Sequence, residues 1–208
     1  MTTYGATHAA GVPSGRPVLG RPVLGRQGMW IFVISLGMLF GAGIALLVLE
    51  RTGAGGHRIR DPFAGARLAL PVWLWVSSFF LFVSSVALHQ GREWIKIGVP
   101  IYGLRSIRAA LGLGWVFAVL QVPGLVALTE RFHPASGNPS PAYFLVLALV
   151  AMHALHAVGG LVTGTTMAWR LKPGTVAGAG EERLYVFAIY WHFVVLVWLA
   201  LFMAFSLV

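Results

Sequence analysis

From Leu184 to Val208 the chain carries no charge, no proline and no glycine. About 20 apolar residues rising 1.5 Å each cross roughly 30 Å of hydrocarbon, so this stretch predicts a membrane-spanning helix. One imidazole sits inside it, within Tyr190-Trp191-His192-Phe193. A polar residue in lipid is costly unless it faces other helices or a cavity. His192 therefore predicts an inner face on this helix and requires partners from the rest of the chain.

Four earlier segments read the same way. The five spans are expected at about 29–49, 68–89, 101–128, 142–169 and 184–208, giving an all-α polytopic membrane protein. Composition agrees: 58% of residues are hydrophobic and 10% charged, against about 25% charged in soluble domains. Without cysteine there is no disulfide, thiolate metal site or cysteine nucleophile. The six acidic residues (Glu50, Asp61, Glu93, Glu130, Glu181 and Glu182) all lie at or beyond segment ends. A pump ordinarily needs a carboxylate within the membrane, so the sequence argues against one.

The net charge of +9 reflects basic residues at the segment ends, a pattern of membrane topology and anionic lipid rather than nucleic-acid binding. Placing the N-terminus inside puts ten Lys and Arg on the inner side and five on the outer, which predicts an N-in, C-out bundle. Residues 1–27, polar, basic and carrying a tandem GRPVL at 15–19 and 20–24, predict a disordered cytoplasmic tail. Arg92, Lys96, Arg105 and Arg108 form the densest basic cluster, a candidate site for lipid headgroups.

Within the spans, Gly37, Gly41 and Ala45 make one smooth stripe, and Gly160 and Gly164 another, both suited to close helix packing. Ser78, Ser85 and His89 share a face of the second span, as Ala110, Gly114 and Gln121 do in the third. Membrane hydroxyls can bond their own backbone carbonyls and need no special partner. Pro123 is expected to kink the third span. Trp30, Trp73, Trp75, Trp94, Trp115 and Trp169 read as interface anchors, and Trp191 and Trp198, seven apart, as packing. By depth counting, His153, His156 and His192 fall in the inner half at similar depth and are expected to face one another or a shared polar cavity. They would serve as hydrogen-bonding groups between helices, or, in a second reading, as axial ligands of a b-type haem, with His192 opposite His153 or His156.

Several of these residues fall into a known order. Gly28-Met29-Trp30-Ile31-Phe32, the pair Ser84-Ser85, Gln121, His153-Ala154-Leu155-His156, and Tyr190-Trp191-His192-Phe193 with Trp198 together resemble subunit III of haem-copper respiratory oxidases in its short five-helix form. The likeness covers nearly everything after the tail. Three positions depart from it. The family usually carries acids where Leu36, Gly124 and Val195 stand here.

The resemblance implies a non-catalytic subunit with no cofactor or metal of its own, in the bacterial plasma membrane. Its partners would be subunits I and II, which hold haem and copper, and phospholipid held in a cleft between its helices. The complex would pass electrons from cytochrome c, or in some members quinol, to oxygen and move protons. An accessory subunit of a nitric-oxide-reducing relative would look similar.

Overall fold

A computed structural model describes residues 21–52, 72–132, 141–176 and 178–207. They form five long helices: α1 (Arg21–Thr52), α2 (Val72–Lys96), α3 (Pro100–Phe132), α4 (Pro141–Arg170) and α5 (Ala179–Leu207). All five are long and apolar enough to cross a membrane, and no strand occurs among the described residues. The protein is an all-α, multi-pass membrane protein.

The helix ends differ from the expected spans for identifiable reasons. Hydropathy stops at the first charge, whereas a helix stops where its backbone turns. α2 therefore runs past His89 to Lys96. It is closed by Gly98 at φ +83°, with Gly98 N–H donating to the Ile95 carbonyl and Val99 N–H to the Trp94 carbonyl. That paired reverse bonding is a Schellman cap, whose left-handed position favours glycine. Pro100 then opens α3, where its missing N–H costs nothing. α3 continues through Pro123. α1 begins at Arg21, so residues 21–27, expected as tail, are helical. Residues 1–20, the start of the second expected span at 68–71 and most of the expected loop Arg131–Pro141 lie outside the described residues. α5 starts five residues early, with Glu181 and Glu182 in its first turn, where acids favour the positive end of the helix dipole.

α2 and α3 make the most extensive helix pair. Their backbones meet at Gly91 and Gly103: a Cβ on Gly91 would come within 2.9 Å of the Gly103 carbonyl oxygen, and one on Gly103 within 2.7 Å of the Gly91 oxygen. α5 is the centre of the bundle, touching α1, α2 and α4. One apolar cluster joins it to α2, α3 and α4 through Leu81, Ile107, Leu161, Trp191 and Trp198. A second joins it to α1 and α4 through Leu36, Phe40, Leu149, Val197 and Leu201. A helix apolar on every side suits a position surrounded by other helices.

Helix α1 meets α4 near Gly43, where a Cβ would come within 2.5 Å of the Leu149 side chain. Toward the N-terminal end of α1 the two helices part. The cleft left between them, floored by α5, holds about 1060 Å³ and is lined by Met29 and Phe32 of α1, Gly160 and Met167 of α4, and Phe187 and Tyr190 of α5. The glycine stripes divide accordingly. Gly160 and Gly164 pack internally, under Tyr190 and Phe187. On α1, Gly41 and Ala45 are exposed and nothing lies within 4 Å of a Cβ on Gly41. Gly43 makes the close approach to α4, and of the Gly37–Gly41–Ala45 stripe Gly37 meets Phe193 of α5 at 3.5 Å.

Candidate functional site

Residues two helical turns apart share a face, so Ser77 and Ser84, Ser78 and Ser85, and Trp191 and Trp198 each form a vertical pair. Helices α2 and α5 bring these pairs together. Trp191 Nε1–H donates to Ser84 Oγ at 3.2 Å, and Ser84 donates onward to the Ala110 carbonyl of α3 at 2.7 Å. Trp198 Nε1–H donates to Ser78 Oγ at 2.8 Å, and Ser78 to the Leu74 carbonyl at 2.7 Å. Ser85 Oγ and His192 Nδ1 lie 2.7 Å apart, and Ser77 Oγ lies 2.7 Å from Gln121 Oε1. A hydroxyl that accepts from an indole and donates to a carbonyl is fully used, which matters where water is absent. Ser78 bonds its own helix as expected. Ser77 also bonds its own helix, at the Leu74 carbonyl, while reaching Gln121, and Ser84 and Ser85 reach across to other helices.

A double-mutant cycle tests the first of these links. Ser84→Ala and Trp191→Phe are expected to couple by about 0.6 kcal/mol, the usual size for interhelical bonds in membrane bundles. The measurement is reversible unfolding in mixed micelles, and strictly additive effects would mean that the link carries no stability of its own.

The three histidines do not gather. His192 is half-buried and faces α2, with the His89 ring 6.4 Å away. His153 is buried between Trp198 of α5 at 5.3 Å and Phe40 of α1 at 6.3 Å. The antiparallel register explains the separation. Gly160 stands opposite Tyr190, so His153 falls level with Trp198, six residues and about 9 Å beyond His192 along α5. His156 packs against Phe32 and Phe40 and sets its Nδ1 2.7 Å from the Met152 carbonyl oxygen. The expectation of a shared cavity is thus corrected; by the same register His156 falls level with Val194, within two residues of His192, so similar depth holds for that pair and fails for His153.

Tyr190 O–H donates to the His156 carbonyl at 2.8 Å, tying α5 to α4 beside the cleft. Phe193 lies against Gly37 of α1, and Trp30 is half exposed on the outside. Leu36 and Val195 are buried in the two apolar clusters, and a Cβ on Gly124 would come within 2.6 Å of the Leu74 side chain. The three positions that depart from the family's acids are therefore filled by apolar packing.

The basic cluster is dispersed among protein partners. The Arg92 guanidinium stands 4.9 Å from the Tyr185 ring centre, Lys96 pairs with Glu93 at 2.6 Å, and Arg108 donates to the Ala168 carbonyl at 3.4 Å. Arg105 is exposed. The sequence reading missed Arg26, which grips Glu182 through two bonds of 2.6 Å and also stands over the Tyr185 ring, 4.5 Å from its centre. Arg26 and Glu182 are 156 positions apart, and no spacing rule links them. This clasp joins α1 to α5 at the mouth of the cleft.

No protein-family model matches the chain. It is 27% identical to "Probable cytochrome c oxidase subunit 3" of Nocardia farcinica, over 97% of each chain. It is 24% identical to "Cytochrome bo(3) ubiquinol oxidase subunit 3" of Buchnera aphidicola, over 84% of this chain and 82% of that one. Identity to "Probable quinol oxidase subunit 3" of Staphylococcus epidermidis is 24%, over 86% of each.

Proposed function

We infer that the chain belongs to the subunit III family of haem-copper terminal oxidases and works as one subunit of an oxidase complex. The observation that carries this reading is similarity along nearly the whole chain to proteins named oxidase subunit 3. The interhelical contacts of Ser84, Ser85, Trp191 and His192 support it, because residues matching the family's motifs meet one another in the fold. In this reading the chain has no active site or cofactor of its own. It packs beside subunits I and II, which carry the haem and copper, in a bacterial plasma membrane with its N-terminus inside. Cytochrome c is the donor we favour, because the relative of that name matches over 97% of both chains.

The cleft between α1 and α4 is the place for bound phospholipid. Its lining is mostly apolar, its volume of about 1060 Å³ suits acyl chains, and Arg26, Glu182 and Arg183 gather at its mouth. Arg92, Lys96, Arg105 and Arg108 lie at the ends of α2 and α3 that border the connecting turn and would face headgroups there.

The b-type cytochrome reading fares worse. His192 is engaged by Ser85 on α2, while His153 lies a layer away against Trp198 and His156 packs on Phe32 and Phe40 of α1. The relatives reported above are named oxidases, which lends nothing to a nitric-oxide-reducing role.

Affinity purification of this chain from its native membrane tests the assignment. The preparation is expected to carry haem and copper, to consume oxygen and to retain phospholipid, whereas the chain isolated alone should be colourless. A b-type signal in the lone chain that disappears with His192→Ala would replace the subunit reading by that of an electron carrier.

A further inference from the structure

Trp198 is ringed by side chains from three helices. Phe117 of α3 meets it edge-on at 5.7 Å, His153 of α4 lies beside it at 5.3 Å, and Ser78 of α2 accepts its N–H. Gln121 follows Phe117 by one turn on the same face of α3 and is buried. Among the described residues, two buried polar atoms have no hydrogen-bond partner. They are Gln121 Nε2 and His153 Nε2. The antiparallel register of α3 and α4, with Gly114 against Leu161 and Gly164 against Leu111, sets Gln121 level with His153 to within one residue.

The orientation of the amide can be argued further. Ser77 has one hydroxyl proton but faces two acceptors, the Leu74 carbonyl at 3.0 Å and Gln121 Oε1 at 2.7 Å. Turning the amide over, which leaves its shape unchanged, lets Nε2 donate to Ser77 while Ser77 donates to Leu74. The orphan is then Oε1. In either orientation one pole of the amide faces the interior without a protein partner, as does the ring nitrogen of His153, which is only 3% exposed.

We propose that one water molecule is bound between Gln121 and His153, in the layer of Trp198, and hydrogen-bonds to both. The occupant must donate and accept, because either amide pole and either imidazole tautomer has to be met, and water does this at the smallest size. An acyl chain offers no hydrogen bond. A metal ion is a poor match, since one amide and one imidazole are too few ligands and no group of three or more His, Asp or Glu residues gathers among the described residues. The site is built from this chain alone and does not depend on which complex the chain joins.

Electron cryo-microscopy of the assembly purified from native membrane, at a resolution that shows ordered water, tests this on the unaltered protein. Density is expected within about 3.2 Å of both the Gln121 amide and His153 Nε2. A direct bond between the two side chains, two waters each touching one of them, an acyl chain, or an empty layer would overturn it. Thermal unfolding of the same assembly gives a second readout with Gln121→Leu, His153→Phe and the double variant. With a shared water, each single change lowers the unfolding temperature by stranding the other group, and the double variant falls by less than the sum. Additive losses, or a rise with each single change, would also overturn the proposal.

Discussion

Gly164→Leu is expected to destabilise the bundle by about 3 kcal/mol, more than a hundredfold in the ratio of folded to unfolded protein. A Cβ at this position would run into the Phe187 ring and approach Leu111 at 2.8 Å. These neighbours come from α5 and α3, so a leucine there would wedge both away from α4. Turning Phe187 aside toward the cleft would break its stack on Trp191, whose centroid lies 6.2 Å away. Gly112→Leu is the matched control. It places the same side chain on an exposed face of α3 with nothing within 4 Å of its Cβ, and leucine favours helix over glycine. Subunit retention and unfolding temperature should separate the two variants sharply. Equal behaviour would mean that α3, α4 and α5 do not meet as closely as described.

Trp198→Ala is expected to cost about 3 kcal/mol, the lower end for removing a buried aromatic. The lower end applies because apolar surface in lipid gains little from burial, so the loss comes from packing and hydrogen bonding. Trp198 is 1% exposed and touches Phe117, His153 and Phe202, which belong to three helices. Trp198→Phe keeps an aromatic ring and leaves Ser78 its bond to Leu74, and should cost about 1 kcal/mol. Guanidine-free thermal unfolding of the purified assembly can rank the variants. If alanine and phenylalanine prove equally tolerated, the indole is not the keystone of its layer.

The five spans were legible because lipid imposes one rule, a long apolar stretch, and hydropathy reads it directly. Their ends were not, since α2 stops at the Gly98 cap rather than at His89. The inner face of α5 was legible from His192, for the same reason that a polar ring in lipid needs company. Its partner was not. Ser85 is 107 residues away, and which of several serines it meets depends on the rotation and register of two helices. The histidine cluster failed on the same point: counting residues from a span's edge gives depth only as well as the edge is known. In the sequence Arg26 counted only as a topology charge and Glu182 only as an acid beyond a span, and the fold shows them as a clasp.

The central place of α5 also bears on how the protein is made. It follows all the other helices in sequence, yet both apolar clusters are built around it. At 5–20 residues per second, the interval between the end of α1 and the start of α5 lasts on the order of ten seconds. Through that interval the inward face of α1, with Leu36 and Phe40, has no α5 to rest on and must be tolerated by the bilayer. Aliphatic and aromatic side chains wait in lipid without penalty, whereas a carboxylate at position 36 would have to be neutralised or shielded until its neighbours arrived. The chain's apolar choice there makes α1 a helix that can be inserted early and assembled late.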